Sequence, residues 1–281
     1  MAEDYRAQDE KRLEQEFLKG SKDENLGVYS DLFSAKTGID GQDGGVVTSL
    51  LIKGLKDGTF DAVIVVQRKE GYSAEAVATE NPDEVMAARG TKYLKVSIIS
   101  KLRELAIQGK RRIAIACTPC EARAARKMQQ TLKQKFPDLE ITIIGLFCFE
   151  AFNQVKLKEE IKRLLGVDLD KAEKTQIRKG KFTVHIEGQE YSCKVKDLNN
   201  AAEKACHYCD DFTSKLADIS VGSVGSQNGY STVIVRSDKG RKLLENLDVT
   251  KAGVEKEEIV KLSKFKKEPA KKSHDALKNS Q

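Results

Sequence analysis

Cysteine is the residue type whose spacing most clearly indicates chemistry in this chain. The six cysteines are Cys117, Cys120, Cys148, Cys193, Cys206 and Cys209. Two pairs have C-x-x-C spacing, C-T-P-C and C-H-Y-C. Cysteines in a reducing compartment seldom form structural disulfides, so this usage indicates metal, cluster or redox chemistry. Packing as small core hydrophobes would explain one or two cysteines, but it would not explain both pairs.

Three kinds of site compete for these thiols. A zinc site takes four ligands in a tetrahedron, but its second pair usually follows the first by roughly 15–20 residues. A thioredoxin-like dithiol would use Cys117 and Cys120 and would leave the second pair idle. An iron–sulfur cluster needs four thiolates and tolerates dispersed spacing. Spacing ranks the cluster first and zinc second, and it leaves both open.

Two glycine-containing segments are candidates for holding a cofactor. GQDGG, residues 41–45, stands at a predicted strand-to-helix junction, where glycine lets backbone amides approach a phosphate. It lacks the G-x-G-x-x-G spacing of dinucleotide-binding loops. The second segment, VGSVGS at residues 221–226, has small residues on which a flat ring or a phosphate could lie. Either segment alone is more simply a tight turn, but beside a cysteine group they indicate a bound flavin or nucleotide.

Composition limits the remaining classes of function. Of the 281 residues, 40% are hydrophobic and 33% are charged, and the net charge of +6 lies largely in the C-terminal stretch KFKKEPAKKSHDALKNSQ. The body is therefore close to neutral, and we expect no nucleic-acid partner. No apolar run approaches the roughly 20 residues of a membrane span, and the N-terminus is too charged for a signal peptide. We expect no transmembrane segment and a soluble, cytoplasmic protein.

Hydrophobic periodicity predicts the elements that position these residues. Strands and helices alternate up to about residue 170, which favours an α/β fold with a mostly parallel sheet flanked by helices. A smaller α+β region that carries the C-H-Y-C loop follows, with a hairpin around Gly188-Gln189. The apolar strands RRIAIAC and ITIIGLFC both end in cysteine, at the strand ends where such sheets bind ligands. The predicted divisions are a charged N-terminal extension, the α/β flavin-binding region, the α+β region that completes the site and a basic tail, at residues 1–27, 28–170, 171–262 and 263–281.

Five segments agree in order and spacing with one known family. They are GQDGGVVTSLL, ARGTKY, TPCEARAARKM, IGLFCFEAF and CHYCDDFTSKLADISVGSVGSQNGYSTVIVR. From about residue 28 to 240 the chain resembles the beta subunits of coenzyme F420-reducing hydrogenases and related dehydrogenases. The resemblance implies an oxidoreductase subunit with FAD and a 4Fe-4S cluster, which exchanges hydride with its substrate, the deazaflavin coenzyme F420.

The resemblance also implies which residues bind these groups. The implied cluster ligands are Cys120, Cys148, Cys206 and Cys209, whereas Cys117 and Cys193 match no ligand position of the family. Hydride exchange requires no side-chain acid or base, so no catalytic residue is assigned. The implied flavin-binding residues are Gly41, Gln42, Asp43, Gly44, Gly45, Thr48, Thr91, Lys92, Tyr93, Ser220, Gly222, Ser223, Val224, Gly225 and Ser226.

Chain length narrows the implied partners. Several relatives carry a fused ferredoxin-like C-x-x-C-x-x-C-x-x-x-C-P run, which this sequence lacks. The chain is therefore similar to the beta subunit of a nickel–iron hydrogenase of methanogenesis, which implies a hetero-oligomer with the large and small catalytic subunits. The alternatives are a subunit serving formate dehydrogenase or heterodisulfide reductase and, from another class, a zinc-stabilised binding module. The phosphate and carboxylates of F420 favour a basic mouth, for which the candidates are Arg89, Lys92, Arg123, Arg126 and Lys127.

Overall fold

The computed structural model describes residues 2–245 and 247–279. Residue 1 of the predicted extension and residues 280–281 of the predicted tail lie outside the described residues. None of the helices within those ranges combines the length and hydrophobicity that a membrane span requires. The helices are α1 (Ala2–Phe17), α2 (Val46–Lys56), α3 (Pro82–Ala87), α4 (Ile99–Ile107), α5 (Pro119–Lys135), α6 (Gln154–Leu165), α7 (Asp238–Glu245) and α8 (Lys256–Asn279).

The main sheet has eight strands within the described ranges, in the order β13-β3-β12-β11-β7-β6-β4-β5. The strands are β1 (Ser21–Asp23), β2 (Gly27–Tyr29), β3 (Asp31–Lys36), β4 (Ala62–Lys69), β5 (Ser73–Thr79), β6 (Arg112–Cys117), β7 (Glu140–Leu146), β8 (Lys174–Arg178), β9 (Lys181–Ile186), β10 (Gln189–Lys194), β11 (Ile219–Gly222), β12 (Ser231–Val235) and β13 (Thr250–Ala252). β4, β6, β7 and β11 are parallel neighbours, and antiparallel strands flank them. The predicted α/β class is confirmed.

Side chains of the central strands alternate between two hydrophobic cores, one on each face of the sheet. Ile113 and Ile115 of β6 lie in the core that α4 and α5 cover. Ala114, between them, lies in the core that α2 covers. Burial on both faces explains why these strands are continuous apolar runs in the sequence. The sheet is therefore a rigid support for the loops at its ends.

The smaller region is a three-stranded antiparallel sheet in the order β10-β9-β8, packed against α6. Its core includes Phe152 and Phe182, both fully buried. β9 and β10 form the expected hairpin, whereas the sequence did not indicate β8. β11 and β12, which follow, belong to the main sheet because their apolar residues fill its core. The main sheet therefore contains strands from both sides of residue 170, and the three-stranded sheet is inserted in sequence between β7 and β11.

Both terminal segments pack on the body. Leu13 of α1 is buried beside Leu216, and Glu10 forms an ion pair with Arg123 of α5. α8 continues through the predicted boundary at residue 263 and buries Ile259 and Ala270. The described part of the predicted basic tail is thus the second half of a helix with a buried side.

Candidate functional site

One edge of the main sheet brings the predicted site segments together. β6, β7 and β11 are parallel, so their carboxyl ends lie at the same edge. β3 and β11 are both antiparallel to β12, so β3 ends there as well. GQDGG follows β3, Cys120 and Cys148 follow β6 and β7, and the second glycine segment follows β11. Ligands of open α/β sheets gather at this edge.

Cys120 lies in the first turn of α5. Pro119 opens the helix because its fixed φ and missing N–H suit that position. The Cys120 side chain is exposed, and its Sγ lies 3.9 Å from the Nζ of Lys95 and 3.3 Å from the Oγ1 of Thr118. Lys95 Nζ is also 3.4 Å from Glu121 Oε1. The sulfur thus lies at a helix N-terminus and near the ammonium group of Lys95.

Cys148, Cys206 and Cys209 lie on two loops that contact each other. The Cys148 amide donates to the carbonyl of Phe212 at 2.9 Å. Ala151 lies in the same loop as Cys148, and its amide is 3.4 Å from the sulfur of Cys206 in the second loop. A short 3-10 helix, Lys204–Tyr208, carries Cys206 and leads to Cys209. A peptide N–H directed at a sulfur is one of the contacts that tune iron–sulfur clusters.

The four sulfurs lie within electrostatic range of one another. Burial raises the pKa of the Cys148 thiol to about 12; Lys266 opposes this rise, and Cys206, Cys120 and Cys209 add to it. The described residues contain no group of three or more His, Cys, Asp or Glu side chains placed around one point as a single ion requires. Four protein thiols are the donor set that a 4Fe-4S cluster takes, so the chemistry of these residues fits such a group.

The other two cysteines lie outside this group. Cys117 is 2% exposed and packs in the core between the sheet and α5, and burial raises its pKa well above the usual value. Cys193 lies on β10, in the smaller sheet. Spacing alone does not separate Cys117 from Cys120, because both belong to the C-T-P-C pair, and only the resemblance to the family distinguishes them.

The GQDGG loop is shaped mainly by the protein's own backbone. A Cβ at Gly44 would lie 2.2 Å from the Ala35 carbonyl oxygen and 2.7 Å from the Ser231 nitrogen. Gly45 has φ +69, which favours glycine, and it precedes α2. A Cβ at Gly41 would make only ordinary van der Waals contacts, of which the shortest is 3.5 Å to the Cα of Gly45. Close packing against β3 and β12 therefore explains why residue 44 is glycine. Gly41, by contrast, is exposed, so a ligand can approach its backbone.

Gln42 joins this loop to the predicted residues of the 91–93 segment. Its Oε1 accepts from the Thr91 amide at 2.9 Å, and its Nε2 donates to the Tyr93 hydroxyl at 3.2 Å. The same hydroxyl accepts from the Ile177 amide of β8 at 2.8 Å. Burial raises the pKa of Asp43, and the positive charge of Arg178 opposes that rise. Ile177 and Arg178 were missed because no pattern predicted β8.

Lys92 serves the structure of its own segment. Its Nζ donates to the carbonyls of Ala88 and Gly90, at the end of α3. Burial and, to a smaller extent, the charge of Arg68 together lower the pKa of Lys92 to about 8. Thr48, also predicted, lies half-buried in the first turns of α2. The structure brings Gln42, Thr91 and Tyr93 into contact, whereas the Nζ of Lys92 is held at a helix end.

The segment after β11 is largely packed into the protein. The Ser220 hydroxyl donates to the Ser214 carbonyl at 3.0 Å and accepts from Arg236 at 2.7 Å. A Cβ at Gly222 would lie 2.2 Å from the ring of Phe147. The remaining members are buried Gly225 and half-buried Ser223, Val224 and Ser226. The half-buried residues are the part of this segment that a ligand can reach.

The basic residues expected from α5 are engaged elsewhere. Arg123 pairs with Glu10 at 2.8 Å, and Lys127 pairs with Asp9 at 2.5 Å, both on α1. Arg126 is 1% exposed and points into the protein. Burial removes Arg126 from the predicted basic mouth. For Arg123 and Lys127 the interpretation stays a prediction, and both also pair with acids of α1. Arg89 is exposed, beside Lys92.

A short extended segment, residues 91–95, connects the GQDGG loop to the cysteine group. The Tyr93 carbonyl accepts from the Phe152 amide at 2.8 Å, and the Lys95 amide donates to the Phe152 carbonyl at 3.0 Å. Thr91 and Tyr93 contact Gln42, and Lys95 contacts Cys120. Residues 91–95 thus run from the glycine loop to the cysteine group.

Two family profiles match the chain. One describes the N-terminal part of the beta subunit of coenzyme F420 hydrogenase/dehydrogenase, and it matches residues 33–103. The other describes the C-terminal part of the same kind of protein, and it matches residues 110–265. The two matches include the glycine segments and all six cysteines.

Curated relatives have names that agree with these profiles. The chain is 36% identical to the beta subunit of coenzyme F420 hydrogenase of Methanococcus voltae, over 81% of this chain and 85% of that protein. It is 33% identical to the protein of the same name in Methanothermobacter thermautotrophicus, over 90% and 96% respectively. It is 34% identical to coenzyme F420-dependent sulfite reductase of Methanocaldococcus jannaschii, over 85% of this chain but 41% of that protein.

A solved structure has a similar fold. It is a chain from a xenon-derivatized crystal of the F420-reducing [NiFe] hydrogenase complex from Methanosarcina barkeri. The TM-score is 0.86 at 28% identity, over 93% of this chain and 96% of that one. The similarity therefore extends over nearly the whole of both chains.

Proposed function

Because this chain belongs to the family of coenzyme F420 hydrogenase/dehydrogenase beta subunits, we propose that it exchanges hydride between F420 and FAD and passes single electrons through a 4Fe-4S cluster to or from a nickel–iron hydrogenase partner. One observation carries the proposal. The loops that bear the four cysteines and the Gln42–Tyr93 contact lie at the same edge of the sheet, and residues 91–95 connect them. FAD supplies a group that exchanges hydride and also single electrons, and the cluster supplies a one-electron carrier.

The cysteine group supports a cluster at this place. Cys120, Cys148, Cys206 and Cys209 would be its ligands. Their thiols are drawn from three separate parts of the chain, and burial raises the pKa of three of them. Buried thiols of this kind need a bound cation to remain deprotonated. The sheet and the 3-10 helix hold the ligand-bearing loops in fixed positions.

The glycine side of the edge supports a flavin. Gly41 has an exposed backbone with room beside it, and Gln42 is held by two hydrogen bonds. Lys174 and Arg178 place positive charge near the loop, which favours an anionic ligand. The chain's own residues would bind the cofactor and orient it toward Lys95 and Cys120.

Two alternatives within the family differ only in the partner. A subunit serving formate dehydrogenase is one, and the chain is 27% identical to the beta subunit of F420-dependent formate dehydrogenase of Methanocaldococcus jannaschii, over 73% of this chain. A subunit serving heterodisulfide reductase is the other. We favour hydrogenase large and small subunits in a hetero-oligomer, because the hydrogenase beta subunits match along nearly their full length.

The test begins with anaerobically purified full-length chain. We expect absorption from flavin and from an iron–sulfur cluster, with about four iron, four sulfide and one FAD per chain. Stoichiometric zinc in a colourless protein would instead support a zinc-stabilised binding module.

The activity assay supplies reduced F420 or NADH with a one-electron dye. Dye reduction is expected with reduced F420, because hydride transfer needs only the two ring systems in near contact. NADH is expected to be poor, because the sequence lacks a G-x-G-x-x-G loop. Rapid reduction with NADH and none with reduced F420 would contradict the proposal. Co-purification with hydrogenase, formate dehydrogenase or heterodisulfide reductase subunits distinguishes the partners.

A further inference from the structure

α8 lies across both loops that carry the buried candidate ligands. The Nζ of Lys266 donates a hydrogen bond to the carbonyl of Phe149, the residue after Cys148. Two turns further along, His274 Nε2 lies 3.0 Å from the carbonyl of Tyr208, in the C-H-Y-C loop. One helix therefore contacts the backbone beside three of the four cysteines.

Lys266 is a buried lysine that has no paired carboxylate. It is 5% exposed, and its Nζ lies 5.4 Å from the centre of the Phe149 ring. Within the described ranges, the ion pairs with N–O distances up to 4.0 Å do not include it. Glu150, the acid nearest in sequence to its acceptor, interacts with it only at longer range. The carbonyl of Phe149 and the face of its ring are the groups that contact this ammonium. A negatively charged group bound nearby would further stabilise a charge that is buried away from water.

The geometry places Lys266 beside the cysteine group. Its Nζ bonds to the carbonyl of the residue that follows Cys148, and the helix that carries it also contacts the C-H-Y-C loop through His274. A cluster bound by these cysteines would therefore lie near a buried ammonium group. The contact with Phe149 fixes the lysine beside the Cys148 loop. Cys120 has the Nζ of Lys95 within 3.9 Å. Of these two lysines near the cysteine group, Lys266 is buried, whereas the side chain of Lys95 is 39% exposed.

We propose that Lys266 is a positioning residue for the cluster: its hydrogen bond holds the Cys148 loop, and its fixed positive charge raises the reduction potential of the group bound there. The inference rests on the proposed function, because it requires the cluster. The physical reason is that reduction adds negative charge to the cluster, and a desolvated cation nearby stabilises the reduced form more than the oxidised form.

The test measures the midpoint potential of the cluster in the anaerobic full-length protein by a spectroscopic redox titration. Lys266→Met removes the charge and the hydrogen bond, Lys266→Gln removes the charge and keeps a donor, and Lys266→Arg keeps the charge. Lys264→Met, on the exposed side of the same helix, is the matched control. For the Met and Gln variants we expect the equilibrium constant for reduction of the cluster to fall tenfold or more. For a one-electron couple this corresponds to a shift of the midpoint potential by about 59 mV toward negative values. The Arg variant and the control should stay near the wild type.

The outcomes separate this inference from the function on which it rests. An unshifted potential in an iron-loaded Lys266→Met protein would overturn the role of Lys266 and leave the function intact. If Lys266→Met loses its iron, the same measurement is made on Lys266→Gln. An unshifted potential in the iron-loaded Gln variant would likewise overturn the role of Lys266. A wild-type protein without iron and sulfide would overturn the proposed function, and this inference with it.

Discussion

The guanidinium of Arg126 and the carboxylate of Asp218 form an ion pair inside the protein. Nη2 lies 3.0 Å from Oδ2, and the two side chains are 1% and 3% exposed. Nη2 makes no hydrogen bond, whereas Nε donates to the Leu216 carbonyl at 2.8 Å. Asp218 also accepts from the Ile143 amide and the Ser237 hydroxyl. The pair therefore joins α5, which begins with the Cys120 turn, to the start of β11, which leads to the second glycine segment.

Asp218→Asn is expected to destabilise the fold strongly. The change leaves the Arg126 charge buried without its partner, which costs about 3–5 kcal/mol. The free energy of unfolding from denaturant titration measures this loss. Glu160→Gln, which breaks an exposed pair with Arg163 on α6, is the control and should cost at most about 1 kcal/mol. Equal losses in the two variants would contradict the structural role given to the buried pair.

The four candidate ligands should be distinguishable from the other two cysteines by iron content. Serine in place of Cys120, Cys148, Cys206 or Cys209 is expected to remove most of the iron, because a hydroxyl is a poor substitute for a thiolate.

The controls for this experiment are Cys117→Ala and Cys193→Ser, which should keep the iron. Alanine is used at 117 because a serine hydroxyl in that core would be buried without an assured partner. Iron loss from Cys117→Ala together with iron retention in Cys120→Ser would reverse the ligand assignment.

Gly41 provides a test of flavin binding that leaves the fold intact. A Cβ at Gly41 meets only ordinary contacts, so Gly41→Ala should fold normally and weaken FAD retention about tenfold, or roughly 1.4 kcal/mol. Gly38→Ala, in open space on the same loop, should bind FAD as the wild type does. Equilibrium dialysis with flavin fluorescence measures both affinities. Unchanged FAD affinity in a folded Gly41→Ala protein would exclude the loop from the site. Gly44 is unsuitable, because its Cβ would collide with Ala35 and Ser231.

Asp61 should contribute a measurable part of acid stability. Burial raises the pKa of its carboxyl, but hydrogen bonds from the Arg112 side chain and from the Arg111 and Arg112 amides outweigh it and lower the pKa to about 2. Because the folded-state pKa lies below the ordinary value of 3.8, the stabilisation is complete above about pH 4 and is lost as pH falls toward 2.

Asp61→Asn is therefore expected to cost about 1 kcal/mol at pH 7 and almost nothing near pH 2. Unfolding free energies measured from pH 2 to 7 give the difference. A difference that stayed constant over this range would mean that ionisation of Asp61 does not contribute.

Local patterns were sufficient for much of the fold. RRIAIAC and ITIIGLF predicted β6 and β7, because strands buried on both faces must be apolar throughout. The dipeptide Asn81-Pro82 is typical of a helix start, and α3 begins there, with the Asn81 side chain accepting from the Asp83 amide. The strand β8 escaped prediction, because its sequence KTQIR is mostly polar and only Thr175 in it is fully buried.

By itself, the sequence identified the candidate residues from which the class of chemistry is inferred, because two C-x-x-C pairs and strand ends that carry cysteine depend on spacing along the chain. The tertiary structure decided which side chains meet. α5 carries basic residues that look suited to a ligand, yet Arg126 turns inward to Asp218 while α1 pairs with Arg123. Lys266 likewise belongs to a basic stretch in the sequence, and only the packing of α8 places it beside Phe149. Periodicity records which face of an element is buried, whereas the topology of the sheet sets the partners of distant residues.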